Sequence, residues 1–272
     1  VGVLVITDTS ACLPSHVARR DDVRVLPITI HLPWGDVRAD APGVARAVFE
    51  CLERGEEVKS SAPSVVDYLG AVEEAGSAGA LVIVPAAEFT VMHRNAHLAA
   101  ALARSPALVI DSRTAAAAQG LVVLEALAAL DRGAGFAGAA RAAEEAAQRA
   151  RLVAALDDLR HLRRSGRVPA QALSFAERLG VRPVFVLRDG MVERLGLPRS
   201  EEGALRRIAR EAARGGIGCA SRSAAFHAAC PERAERLRAL LGHTDHVVEF
   251  SAAMGIHTGP GVVGVAWLAP EG

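Results

Sequence analysis

Lysine is almost absent from this 272-residue chain: Lys59 stands alone, and arginine supplies the rest of the 31 basic side chains. They are matched by 31 acidic ones, for a formal net charge of zero. That balance removes the electrostatic reason to expect nucleic acid or an anionic membrane surface as a partner. Cysteine is scarce as well. Cys12, Cys51, Cys219 and Cys230 share no CxxC or zinc-type spacing, so they read as small buried hydrophobes, not as a disulfide framework or a metal cage. No apolar run is long enough to cross a bilayer without polar interruption, and the first residues read as a strand instead of a signal peptide. A cytoplasmic protein without an integral membrane segment is expected. Walker and kinase loops are missing too, which excludes a self-contained phosphotransferase.

What the chain does have is apolar material. Hydrophobic residues make up 51% of it, enough for one large core or two modest ones. Strand patterns fall at residues 3–6, 23–32, 80–84 and 107–110, and helix patterns at 44–54, 64–74, 91–103, 114–130 and 136–153. Pro27 inside the second strand pattern requires an edge position or a break, because proline cannot donate to a ladder. Strands alternating with helices at this spacing predict βαβ units and a mostly parallel sheet. After Leu152 the texture changes. Residues 156–164 read as a short basic helix, and 183–187 and 191–195 flank Asp189-Gly190, a hairpin turn signal. Further elements are expected at 216–220, 231–241, 247–250 and 262–268. The expected fold is α/β in two lobes, a mostly parallel sheet in residues 1–153 and a mixed sheet in 154–272, with the boundary near 151–156.

Two polar stretches lie where strand ends are expected. Thr7-Asp8-Thr9-Ser10 follows the first apolar run, and Met254-Gly255-Ile256-His257-Thr258-Gly259-Pro260-Gly261 precedes the last. Strand ends are where open α/β sheets hold small ligands. Gly259-Pro260-Gly261-Val262-Val263-Gly264 matches GxGxxG literally, but a strand pattern follows where the dinucleotide motif needs a helix. His243 and His246 lack a third ligand and read as solvated surface. Arg160, Arg163, Arg164 and Arg167 sit at a helix C-terminus, where cations offset the dipole. Thr7, Asp8, Ser10 and His257 can be assembled into a serine hydrolase, yet no GxSxG elbow is present, and loop hydroxyls are common turn formers. Thr90 precedes a helix pattern, where its hydroxyl would cap a free N–H. The same helix start offers backbone donors to an anion.

Taken together, these stretches resemble the DegV family, which includes the acyl-binding subunits of bacterial fatty-acid kinases. Thr7-Asp8-Thr9-Ser10-Ala11 with Leu13-Pro14 is similar to the family's TDSTADLP opening. Leu26-Pro27-Ile28 resembles its next strand, and Lys59-Ser60-Ser61-Ala62-Pro63-Ser64 its TSQPS segment. Asp111-Ser112 with Gln119-Gly120 resembles DS…G, and residues 159–167 resemble LxYLxxGGRI. Arg182-Pro183-Val184 with Asp189-Gly190, then Arg199, His227 and the His257 to Gly261 stretch, complete the order. Ala87 to Ala96 falls on SxLSGTYQSA. Thr90 keeps the hydroxyl there, while Val91 replaces a glycine whose N–H helps hold a carboxylate, and a β-branched residue disfavours φ > 0.

The resemblance implies a two-lobed α/β protein that encloses one long-chain fatty acid between its lobes. Ser60, Ser61, Thr90, the backbone at Val91, and His257 would meet the carboxylate, with Thr7, Asp8 and Ser10 as a supporting loop. A separate ATP-dependent kinase subunit would phosphorylate the carboxylate, docking at Arg167 and Arg199. This chain is then a carrier and not an enzyme, without a cofactor beyond the bound lipid. Two rivals stand beside that expectation: a hydrolase using Ser10 or Thr90 with His257, and a binding module for another small lipid-like ligand.

Overall fold

The computed structural model describes residues 2–157, 159–166 and 180–271. Its first sheet is parallel throughout. It is built from β1 (Leu4–Asp8), β2 (Val23–Leu26), β6 (Ala80–Val84) and β7 (Ala107–Asp111), in the order β2-β1-β6-β7. β6 and the Leu4 to Ile6 part of β1 read as unbroken apolar runs because both of their faces are covered. The expected strand over 23–32 divides at Pro27. Its first half is the edge strand β2, and its second half, β3 (Thr29–Leu32), joins β4 (Gly35–Arg38) and β5 (Lys59–Ser61) in a small antiparallel sheet. Ser60 and Ser61 are therefore strand residues. Helix α3 (Val65–Glu73) starts at Ser64, whose side chain accepts from the Asp67 N–H while Asp67 accepts from the Ser64 N–H. α3 and α4 (Met92–Leu102) pack on each other and on the first sheet.

The second sheet is mixed and six-stranded. It contains β8 (Ala150–Ala155), β9 (Val184–Arg188), β10 (Met191–Gly196), β11 (Ser223–His227), β12 (His246–Glu249) and β13 (Val263–Leu268), in the order β10-β9-β8-β13-β11-β12. Among its described strands only the β11–β12 pair is parallel. Asp189 and Gly190 turn the β9–β10 hairpin at φ 51° and 73°, as expected of Asp-Gly. Between the sheets runs α5 (Ala116–Asp131), in contact with β1 and β6 on one side and with β8, β11 and β13 on the other. It has no polar face, and nearly all of its first fourteen residues are buried, which suits a helix covered on all sides. α6 (Phe136–Arg149) packs beside it.

Several expectations are corrected. The helix pattern over 136–153 ends at Arg149, and Ala150 takes up extended backbone to open β8. Within the element expected at 216–220, Ile217–Cys219 is a short 3-10 helix; the strand nearby is β11. The amphipathic helix α8 (Glu201–Arg214), capped by the Ser200 side chain, was absent from the pattern reading. It and α9 (Pro231–Leu241) cover the outer face of the second sheet. α7 (Arg160–Ser165) begins later than expected and ends at Gly166, φ 66°. The stretch from Met254 is not a loop: α10 (Ala252–Thr258) is a helix capped by Ser251, packed against α2 (Val44–Glu53). Gly255 permits that contact, since a Cβ there would meet the Phe49 ring at 2.6 Å.

Two helical glycines give opposite expectations. A Cβ on Gly120 of α5 would lie 2.4 Å from the Ala11 carbonyl oxygen, whereas one on Gly70 of α3 meets nothing within 4 Å. Gly120→Ala should cost about 2–3 kcal/mol through displaced backbone. Gly70→Ala should add roughly 0.5–1 kcal/mol through helix propensity. Urea denaturation of both variants checks the pair, and equal shifts would contradict the packing.

Candidate functional site

A cavity of about 570 Å3 opens between the C-terminal ends of the first sheet and the inner face of the second. Its walls are overwhelmingly apolar. Leu152, Ala154 and Leu156 come from β8 and its exit, Phe185 and Leu187 from β9, Val192 from β10, and Phe226 from β11. Phe250, Ala253 and Met254 close it from the start of α10, and Phe89 and Met92 from the connection into α4. Polar groups are few: Ser10, Ser60, Glu88, Thr90, His257 and Thr258. The mouth is marked by exposed Ala87, Glu88 and Val91, while Phe226 and Phe250 are buried. The β9–β10 hairpin tip borders it. Gly190 donates its N–H to the Arg113 carbonyl at 2.8 Å, and Arg113 pairs with Asp189 at 3.3 Å.

Side-chain alternation separates the two serines of β5. Ser60 lies opposite Ile30 of β3 and lines the cavity; Ser61 faces the other way, where its hydroxyl lies 2.6 Å from Nε2 of His31. Ser61 therefore does not share the site with Ser60. Thr90 accepts the Met92 N–H on its Oγ1 at 3.3 Å, so the hydroxyl caps α4 and retains its own proton for donation into the cavity. Val91 has φ −77°, an ordinary right-handed value. The conflict expected from valine at a glycine position does not arise, because the backbone here never needs φ > 0. His257 reaches the cavity from the last turn of α10, and Thr258 beside it bonds back to the Met254 carbonyl at 3.2 Å.

Behind this polar end lies a buried network that includes Gln119. Thr7 Oγ1 donates to the Ile83 carbonyl (2.9 Å) and accepts from Gln119 Nε2 (3.0 Å). Gln119 Nε2 also lies 3.1 Å from Asp8 Oδ2. Asp8 Oδ1 accepts the Ser10 N–H at 2.8 Å. Ser10 Oγ sits 2.5 Å from Asp8 Oδ1 and 3.1 Å from Gln119 Oε1. One hydroxyl proton cannot serve both acceptors, and a proton on Asp8 lets each contact form. Burial pushes the Asp8 carboxyl up from its ordinary value, against the lowering effect of the Ser10 and Gln119 hydrogen bonds. Of the loop Thr7, Asp8 and Ser10, only Ser10 touches the cavity; the other two stand behind it and fix its position. A serine hydrolase is not favoured, because the Ser10 hydroxyl is engaged by Asp8 and Gln119.

Other motifs fall elsewhere. Arg199 is exposed between β10 and α8, and Arg167 lies outside the described residues. His243 lies 3.5 Å from Asp245. The four cysteines are free, and no group of three metal-ligating side chains occurs among the described residues. No helix of the described chain is long and apolar enough to cross a membrane. The phenylalanines of the cavity went unassigned in the sequence. Their signal was placement on alternate positions of buried strands, which reads equally well as plain core.

Comparisons with known proteins agree with this architecture. The family described as "Uncharacterised protein, DegV family" matches residues 2–270. A DegV domain-containing protein of Streptomyces coelicolor is 32% identical over 272 residues, covering 97% of either chain. Among solved structures, a fatty-acid-binding DegV family protein from Thermus thermophilus has a TM-score of 0.90 at 23% identity, covering 99% of this chain and 100% of its own. A DegV family protein from Eubacterium eligens, loaded with heptadecanoic acid, gives 0.87 at 18% identity over 99% and 100%. Both show the same α/β fold.

The raised Asp8 carboxyl has a consequence for stability. An acid whose folded value exceeds its unfolded value favours the folded state while protonated, and that preference is lost as pH climbs from the ordinary carboxylate range through the folded value. Wild type should therefore lose stability relative to Asp8→Asn over that rise. Thermal unfolding of both proteins from acidic to neutral pH measures the difference; parallel curves would contradict an Asp8 carboxyl raised by burial.

Proposed function

Because this chain belongs to the DegV family, we propose that its cavity holds one long-chain fatty acid, tail inward and carboxylate toward Thr90, Ser60 and His257. The observation that carries this reading is the lining. The wall is apolar nearly everywhere, its polar groups are Ser10, Ser60, Glu88, Thr90, His257 and Thr258, and it contains no lysine or arginine among the described residues. The halves assigned to residues 1–153 and 154–272 close over the ligand from either side. Fatty acid binding by the Thermus thermophilus protein and the heptadecanoic acid of the Eubacterium eligens protein support the assignment.

The energetics fit such a ligand. Burying a methylene is worth ~0.8 kcal/mol, so ten of them supply ~8 kcal/mol, the free energy of a micromolar complex. The head group then needs orientation more than attraction. A guanidinium clamp would neutralise the carboxylate and occupy both oxygens. Hydroxyl donors, with His257 directly or through water, hold it and leave an oxygen reachable. Val91 contributes its backbone at the mouth, without glycine geometry.

An acid held in this way is suited to phosphorylation by a separate ATP-dependent kinase subunit. A carboxylate oxygen attacks the γ-phosphorus, the bond to the bridging oxygen breaks, ADP leaves, and the acyl phosphate keeps its tail in the cavity. This chain's residues bind, orient and shield; the transfer chemistry belongs to the partner. Arg199, exposed between β10 and α8, is assigned to docking together with Arg167. No cofactor other than the bound lipid enters the scheme.

Extraction of purified protein under denaturing conditions, followed by mass spectrometry, should release a long-chain fatty acid in stoichiometric amount. Thr90→Ala with His257→Ala should weaken retention about tenfold or more, the cost of losing hydrogen bonds to a charged group. Absence of fatty acid from wild type, or unchanged retention in the double variant, would overturn the assignment.

A further inference from the structure

The inner face of the second sheet carries a row of four cross-strand neighbours. In register, Phe185 of β9 lies opposite Ala154 of β8, Ala154 opposite Gly264 of β13, and Gly264 opposite Phe226 of β11. Cross-strand neighbours of this kind share one face. Phe185, Ala154 and Phe226 line the cavity, whereas Gly264 does not. Phe226 covers that glycine. A Cβ added to Gly264 would come within 2.4 Å of its Cζ and 2.9 Å of the Ala154 Cβ, so the ring lies across Gly264 toward β8. The ring is fully buried and stacked on Phe250, with centroids 5.4 Å apart and planes 17° from parallel. Phe250 is itself fixed, donating its N–H to the His227 carbonyl at 2.7 Å.

The position of this pair matters as much as its packing. Phe250 immediately precedes the cap of α10 and His257 sits in its last turn, so the two stand at opposite ends of that helix. The exposed mouth residue Val91 belongs to the polar end, whereas Phe226 and Phe250 are buried. We propose that Phe226, laid over Gly264 and backed by Phe250, is the end stop that sets the longest acyl chain this protein accepts. The inference rests on the fatty-acid reading and extends it to chain-length selection. Phe226 makes no contact with the reacting carboxylate on this account; it is a specificity residue.

The test uses full-length delipidated protein offered an equimolar ladder of straight-chain saturated acids from dodecanoic to tetracosanoic, with retained lipid read by mass spectrometry. Phe226→Leu removes ring volume and should move the most-retained length upward by about two carbons. Each methylene newly accommodated is worth about fourfold in relative retention, the equivalent of ~0.8 kcal/mol. Phe226→Trp adds volume at the same place and should shift the optimum downward. Two variants moving the optimum in opposite directions cannot be mimicked by a general loss of packing, which would weaken all lengths together. If both retain acids with the wild-type profile, or weaken all lengths alike, the end-stop assignment is wrong while the fatty-acid reading stands. If wild type retains no acid of any length, the fatty-acid reading fails first.

Discussion

A cavity whose described wall is apolar and holds no lysine or arginine can meet the carboxylate proposed for it only with neutral donors, and those donors must be fixed in place. Each polar group at the cavity's end is anchored by something else. Ser10 is tied through Asp8 and Gln119 to the first sheet and to α5. Thr90 spends its acceptor on the Met92 N–H. Ser60 is held by the pairing of β5 with β3. His257 is carried by a helix that approaches α2 closely because Gly255 has no side chain. The donors come from both halves of the chain, so the site exists only when the two sheets and the helix between them are assembled. Preorganised donors lose little freedom when a ligand arrives.

The same arrangement divides labour between tail and head. Apolar burial provides affinity that grows with each methylene, while neutral donors provide direction. A carrier that had to surrender its ligand's oxygen to another protein would gain nothing from a tight ionic clamp. The described cavity wall contains no lysine or arginine, in a chain with 31 basic residues, which suits the proposed presentation of a carboxylate. The Phe226 ring, laid over Gly264, forms part of the same cavity wall and is the end stop proposed above.

Much of this was legible in the sequence, and the misses have physical causes. The parallel strands announced themselves as short apolar runs, the Asp189-Gly190 turn by its residue types, and the break at Pro27 by its missing donor. β8 and β11 were obscured because Ala-Arg-Leu-Val-Ala-Ala and Ser-Ala-Ala-Phe-His are rich in alanine, a helix former, and tertiary placement overrode propensity. Helix α10 looked like a loop because Gly255 interrupts it, and only the Phe49 ring explains that glycine. Ser10, Ser60, Thr90, Val91 and His257 were all named from sequence and all line the cavity. The choice between Ser60 and Ser61 required the register of β5, and the backbone at Val91 required coordinates. Phe226 could not be distinguished from core, since its proposed role depends on a glycine thirty-eight positions away.

The account stands on the direction of the ligand. An electron-density map of protein crystallised as purified, with no lipid added, tests it most directly. The account predicts elongated density that begins within hydrogen-bonding reach of the Thr90 hydroxyl and ends against the Phe226 ring. Density running the other way, or a cavity filled only by ordered water, would contradict it.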